Sequence, residues 1–249
     1  MPEDERSPRP VVVSQHRDEA VLAALAYGKV ELVGRIPWSS NATFLVGLRH
    51  GNLELPAIYK PERGERPLWD FPRGLWRREV AAYELDAFLG WGLVPPTAPR
   101  RDGPLGPGSV QLCVEARRDA QYFTLVEQPR YYGALRKVAA FDLIANNADR
   151  KGGHCLLDRD GHIWAIDNGL CFHSLPKLRT VIWDFAGEPI GDDVLATVEP
   201  LALGVAPEAL PGLLGGSEVA ALKQRAAAVL ESRVFPEPSG DFPYPWPLV

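Results

Sequence analysis

Apolar and polar side chains are distributed so that the first part of the chain and the second have different periods. Between Lys29 and Lys60, Val30, Leu32 and Gly34 alternate with polar neighbours, Ala42 to Leu48 is rich in β-formers, and Leu53 to Tyr59 follows the turn residues His50-Gly51-Asn52. A period of two belongs to strands with one buried face, so this stretch predicts a small antiparallel sheet. A short helix precedes it over Asp18 to Ala26, with Asp18 as N-cap and Val21, Leu22 and Leu25 behind it. After a charged, proline-bearing loop from Pro61 to Arg73, Gly74 to Leu89 reads as an amphipathic helix carrying Leu75, Val80, Ala82, Tyr83 and Leu85. Pro95, Pro96 and Pro99 close this region, and Ser109 to Glu115 is a short apolar run that predicts a buried strand.

Farther on the helical period takes over. Leu135, Val138, Phe141 and Ala145 form one stripe of a helix over Leu135 to Asn146, which delivers Asn147-Ala148-Asp149 to a loop. Cys155 to Leu157 and His162 to Ile166 are apolar runs joined by Asp158-Arg159-Asp160-Gly161, a hairpin signal, and Asp167-Asn168-Gly169 ends the second strand. Asp192 to Leu203 and Ser217 to Ser232 read as helices. The tail from Phe235 to Val249 holds five prolines among aromatics, cannot be helical, and is expected to lie along the surface.

With 249 residues, 46% of them hydrophobic, the chain can bury a sizeable core. Its 27 basic and 32 acidic residues leave a net charge of -5, which supplies no long-range attraction to nucleic acid or to an anionic bilayer. Cys113, Cys155 and Cys171 are too few and too scattered for a disulfide framework and fit a reducing compartment. Met1 to Gln15 contains no apolar stretch of the kind a signal peptide needs, and no window approaches the roughly 18 apolar residues of a membrane span. A soluble cytoplasmic protein without an integral membrane segment is expected.

The candidate chemistry lies where the helix, the loop Asp149-Arg150-Lys151-Gly152-Gly153-His154, the hairpin and Asp167-Asn168-Gly169 follow one another. The hairpin folds the chain back, so both aspartates can face one cleft. Phosphoryl transfer uses such a pair, one carboxylate positioning the attacking hydroxyl and the other holding the divalent cation on the phosphates. Lys151 can reach the transferred phosphoryl group as a cation. Upstream, Lys60 ends a strand, from which its ammonium can project toward phosphates, and Glu79 on the next helix can pair with it, in competition with Glu84. Pro37-Trp38-Ser39-Ser40-Asn41-Ala42 lies between strand-like runs, where backbone N–H groups and small hydroxyls can cover phosphates.

These segments resemble the phosphatidylinositol 3-/4-kinase superfamily, and most closely its type II phosphatidylinositol 4-kinase-like branch together with an actinobacterial group of kinase-like proteins. The resemblance is carried by Ile58-Tyr59-Lys60-Pro61, Arg78 to Tyr83, Leu93 to Thr97, Gly108 to Glu115, Asn147-Ala148-Asp149-Arg150 and Ala165 to Leu170. It implies an α+β, two-lobed protein-kinase-like fold, with a small antiparallel-sheet N-lobe and a mainly helical C-lobe. The expected division is a disordered N-terminus over 1–17, the N-lobe with its hinge over 18–115, the C-lobe over 116–234 and a Pro-rich tail over 235–249. It further implies ATP with Mg²⁺ or Mn²⁺ as cofactors and a hydroxyl acceptor of unknown class: protein, lipid headgroup or small metabolite. Lys60 would bind the α- and β-phosphates, the Gln111, Cys113 and Glu115 stretch would be the hinge whose backbone meets adenine, Asp149 would be catalytic and Asp167 would hold metal. The family has asparagine five positions after the catalytic aspartate as a second metal ligand, where this chain has His154, an imidazole that suits Mn²⁺ better than Mg²⁺.

Two other readings use the same residues. An inactive nucleotide-binding or partner-binding module is compatible with His154. A structural zinc site could take His154, Cys155, Cys171 and His173, although adjacent residues of one strand point to opposite faces. Lys177 and Arg179 are expected to face solvent, and Trp183-Asp184-Phe185 to pack in the core.

Overall fold

The computed structural model of the protein describes residues 18–37, 39–240 and 242–249. The expected disorder of residues 1–17 and the place of Trp38 in its loop therefore lie outside the described residues. Helix α1 (Glu19–Tyr27) begins where Asp18 accepts the N–H groups of Ala20 and Val21 at 2.9 and 3.2 Å, as an N-cap does. It is followed by β1 (Lys29–Arg35), β2 (Phe44–His50) and β3 (Leu53–Pro61), then by helix α2 (Leu75–Leu89), β4 (Thr97–Arg100) and β5 (Gly108–Leu112). The five strands form one antiparallel sheet in the order β1-β2-β3-β5-β4. Strand β4 is absent from the sequence expectation because Pro96 and Pro99 read as breakers. It forms because it is the edge, where Pro99 can sit in the ladder without a donor being missed.

The remainder is mainly helical: a single turn α3 (Tyr122–Leu125), α4 (Tyr132–Ala145), the hairpin β6 (Cys155–Leu157) and β7 (Ile163–Ala165), then α5 (Asp192–Ala202), the short α6 (Leu210–Leu213) and α7 (Gly216–Ser232). Among the described residues, beside a small cluster of Phe71, Leu75 and Ala148, two large hydrophobic cores result. One lies under the sheet and joins Val21, Leu25, Val46, Leu48, Ala57 and Val110, while the other joins α4, α5 and α7 through Leu135, Phe141, Ile144, Val198 and Leu222.

Helix α2 departs from its amphipathic reading. It is buried on nearly all sides, Arg78, Glu79 and Asp86 included, because it runs between the sheet and the helical lobe. Burial of those three is tolerated because each is bonded: Arg78 to the carbonyl of Cys171 and to Glu218, Asp86 to the N–H groups of Leu93 and Val94 at 2.9 and 3.0 Å, and Glu79 within the site below. The start of α2 is capped from a distance, since the Glu65 carboxylate accepts the N–H groups of Gly74 and Trp76, both at 2.9 Å. Among the described residues, no helix is long and apolar enough to cross a membrane.

Candidate functional site

Lys60 stands near the end of β3, and α2 presents Glu79 directly to it. The Lys60 ammonium donates to Glu79 and, at 2.8 Å, to Asp167 Oδ1. The second Glu79 oxygen accepts the backbone N–H of Asn168 at 3.0 Å, so one buried carboxylate ties the sheet to the segment following β7. Charge governs the cluster. Burial disfavours the Lys60 cation, but Asp167 and Glu79 more than offset it and raise its pKa. Lys60 in turn holds the Asp167 carboxyl far below the usual carboxylate range, with His154 acting in the same direction. Asp167 has a φ of 58°, a left-handed conformation that aspartate tolerates better than most side chains, and this aims its carboxylate at Lys60 from the end of the strand.

Asp149 leaves α4 through a loop built on asparagines. Asn146 takes the left-handed C-cap conformation, and the Asn147 side chain accepts the Asp149 N–H at 2.9 Å. Burial pushes the Asp149 carboxyl up to about 6, against the Lys151 ammonium 3.3 Å away. His154 is pulled down to about 4 by burial and is therefore a neutral imidazole near pH 7. Its Nδ1 accepts the N–H of Lys151 at 3.3 Å, which leaves the ring proton on Nε2, 3.3 Å from Asp167 Oδ2.

Beneath these groups lies an ion pair to which the sequence reading assigned no role. Arg150 and Asp142 are both 0% exposed. The guanidinium donates to both Asp142 oxygens at 3.0–3.1 Å, to the Ile166 carbonyl at 2.7 Å and to Asn168 Oδ1 at 2.7 Å. Asn147 and Thr180 complete the shell of Asp142. The pair joins α4, the Asp149 loop, the end of β7 and the segment beyond it, and so sets how the two aspartates face each other. Its sequence signal is a carboxylate beside the apolar stripe of α4, adjacent to Phe141.

Ser39, Ser40, Asn41, Lys60, Glu79, Asp149, Lys151 and Asp167 line one cleft of about 590 Å³. The loop over it is fixed by a 2.8 Å bond between the Ser39 and Thr43 hydroxyls and by Asn41 accepting the Arg66 N–H at 2.9 Å. Gln111, Cys113 and Glu115 stand apart from that lining: Gln111 is buried against Thr97, the Cys113 N–H bonds the Pro56 carbonyl, and Glu115 pairs with Arg159. Phe242, Tyr244, Pro245 and Trp246 line it as well, so the described part of the tail, largely exposed along the surface, also forms a wall of the cleft. Lys177, expected in solvent, is mostly buried and bonds Asp70 at 2.8 Å, because the loop before α2 folds over it.

The zinc reading is not supported. Among the described residues no group of three or more His, Cys, Asp or Glu side chains is gathered to hold a metal. Cys155 and Cys171 are buried, which pushes the Cys155 thiol up to about 12 and the Cys171 thiol up as well, away from the thiolate that zinc needs. His173 packs on Phe71 and bonds the Leu175 N–H instead.

No family model matches the chain. It is 31% identical over 150 residues to phosphatidylinositol 4-kinase gamma 4 of Oryza sativa subsp. japonica, covering 50% of this chain and 25% of that protein. Among solved structures, hydra Fam20 with sugar superposes with a TM-score of 0.53 at 16% identity, over 85% of this chain and 87% of that one. The Helicobacter pylori proinflammatory kinase CtkA gives 0.45 at 11% identity, over 85% and 94%. The fold is thus the expected two-lobed, kinase-like one, mixing a five-stranded antiparallel sheet with a mainly helical lobe. Protein Rv2133c of Mycobacterium tuberculosis (strain ATCC 25618 / H37Rv) is 42% identical over 262 aligned positions, covering 90% of this chain and 94% of that protein, and the chain belongs to its family.

Proposed function

We propose that this chain is an ATP-dependent phosphotransferase of the phosphatidylinositol 3-/4-kinase-like kind, moving the γ-phosphate of ATP to a hydroxyl acceptor. The observation that carries the reading is the hydrogen-bonded cluster of Lys60, Glu79 and Asp167 facing Asp149 and Lys151 in one cleft. Lys60, held by Glu79, is the cation for the α- and β-phosphates, and the Ser39, Ser40 and Asn41 loop covers them. Asp149 accepts the proton of the attacking hydroxyl, a task that suits a carboxyl raised to about 6. Lys151 stabilises charge on the phosphoryl group in transfer. In the Gln111, Cys113 and Glu115 stretch, which stands outside the lining of that cleft, the backbone that takes the adenine is the part beyond Cys113, since the Cys113 N–H is already bonded to the Pro56 carbonyl. On this reading residues 18–115 are the N-lobe with its hinge, 116–234 the C-lobe and 235–249 the Pro-rich tail.

The donor set fits a divalent cation shared with phosphates. Asp167 supplies one carboxylate, and His154 would join it as a neutral imidazole in the tautomer that frees Nε2, 3.3 Å from that carboxylate, without a third protein ligand of the His, Cys, Asp or Glu kind among the described residues. Mg²⁺ is held in this way, by one or two carboxylates with nucleotide phosphates and water, whereas an imidazole favours Mn²⁺. The cation would neutralise developing charge on the phosphates. A second reading, an inactive nucleotide-binding or partner-binding module, rests on the same imidazole, because Nε2 already stands 3.3 Å from one of the Asp167 oxygens.

Calorimetry with ATP and Mg²⁺ or Mn²⁺ tests nucleotide binding. Lys60→Ala is expected to weaken it by about 1–3 kcal/mol, the loss of a charge-assisted contact. Transfer of labelled γ-phosphate to a panel of protein, lipid and small-metabolite acceptors tests catalysis, and Asp149→Asn is expected to lower it by roughly 10²–10⁴-fold with ATP still bound. Lack of ATP binding with either metal overturns the proposal, while binding without transfer favours the inactive module.

A further inference from the structure

The described part of the tail is seated against the same loops that carry the candidate chemistry. The Pro243 carbonyl accepts the N–H of Thr180 at 3.1 Å and the indole N–H of Trp183 at 3.2 Å. The Leu248 carbonyl accepts the N–H of Gly152 at 2.7 Å. One anchor is therefore on the segment after Asp167 and the other on the loop of Asp149, and Tyr244 lies between them. Pro243 and Pro245 restrict the backbone on either side of it, and Pro245 is buried. A short segment pinned at two points and stiffened by prolines presents its side chains at little further entropic cost.

Tyr244 lines the cleft with Asp149, Lys151 and Asp167, and its side chain is 49% exposed. Among residues 242–249 it carries the only hydroxyl, and it forms no hydrogen bond with another described residue. The other cleft hydroxyls, on Ser39, Ser40 and Thr43, belong to the opposite loop, where Ser39 and Thr43 bond each other. Lys151 and Arg179 line the cleft beside the tail and offer cations to a phosphate placed there.

We infer that Tyr244 is an intramolecular acceptor of this site, a tyrosine that the chain phosphorylates in cis. This rests on the phosphotransferase reading and extends it to one named hydroxyl. The Tyr244 oxygen forms a bond to the γ-phosphorus of ATP, the bond from that phosphorus to the β,γ-bridging oxygen breaks, ADP leaves, and the phenol proton passes to the Asp149 carboxylate. The product carries about two negative charges beside Lys151 and Arg179.

The test incubates the full chain with γ-labelled ATP and Mg²⁺ or Mn²⁺ and maps the phosphate by fragmentation of the peptide that follows Arg233, which separates Tyr244 from Ser239. The expected result is phosphate on Tyr244, formed at a rate per molecule that does not change on dilution, and lost in Tyr244→Phe and in Asp149→Asn. Mapping on the unaltered chain decides the matter even where a variant folds poorly. Phosphate on other residues only, transfer to an added acceptor with Tyr244 unmodified, or a rate that rises with protein concentration each overturns the in-cis acceptor while leaving the phosphotransferase reading intact. ATP binding with no transfer at all overturns both.

Discussion

Replacing Arg150 by methionine removes the cation from a carboxylate that has no access to water. Asp142 keeps its bonds from Asn147 and Thr180 but loses the two-oxygen contact with the guanidinium, and the Ile166 carbonyl and Asn168 Oδ1 each lose a donor at 2.7 Å. Breaking one side of a buried ion pair costs about 3–5 kcal/mol, because the remaining charge must be neutralised or exposed. For a chain of this length about 2–4 °C of melting temperature accompanies each kcal/mol, so Arg150→Met is expected to melt about 6–20 °C lower. Arg150→Met combined with Asp142→Leu removes the stranded charge, and an apolar replacement of a buried pair is often neutral, so the double variant is expected to be more stable than the single one. Urea titrations followed by circular dichroism measure both. A cost below about 1 kcal/mol for Arg150→Met, or a double variant no more stable than the single, would refute the assignment of this pair as the clamp between the Asp149 loop and the Asp167 segment.

Further outcomes follow from the same geometry. Since burial raises Asp149 to about 6, the proton acceptor becomes available as pH rises through about 6, and the acid limb of kcat/KM measured from pH 5 to 8 should lie there and vanish in Asp149→Asn. The same shift has an opposite sign for stability: a carboxyl raised on folding favours the folded state when protonated, so stability should fall between the ordinary carboxylate range and about pH 6, by less in Asp149→Asn, as thermal melts can show. His154→Asn replaces an imidazole by an oxygen donor beside Asp167 and should move the metal preference of nucleotide turnover from Mn²⁺ toward Mg²⁺; an unchanged preference would remove His154 from the metal site. Glu65→Ala strips the two N–H bonds that start α2 and should cost about 0.5–2 kcal/mol in urea titration, the usual loss of a helix cap.

Elements whose residues settle their own conformation were legible in the sequence. Asp18 caps α1 with its own side chain, the alternating positions from Val30 onward pair as β1 to β3, and the Asp-Gly turn joins β6 to β7. The nearness of Lys60 to Glu79 also followed from local order, one at the end of a strand and the other on the next helix, and their contact is present. Other features escaped because their causes lie far away in the chain. Strand β4 looked like a run of breakers because its proline is harmless only at a sheet edge, and sheet order is a tertiary fact. Lys177 looked solvated because Asp70, its partner, is more than a hundred residues upstream.

The sequence by itself determined that a strand-rich part precedes a mainly helical one, and which residue types are available for phosphate, metal and proton chemistry, since strand and helix periods and turn residues act over a few neighbours. The tertiary structure decided which groups meet. Only packing could bury α2 on both faces, set Arg150 against Asp142 beneath the two aspartates, bring His154 to Asp167, and lay the tail along the cleft beside Asp149. The physical reason is that burial and pairing energies depend on distance in space: a charge eight or a hundred positions away in the chain weighs the same once it is 3 Å away and water is gone.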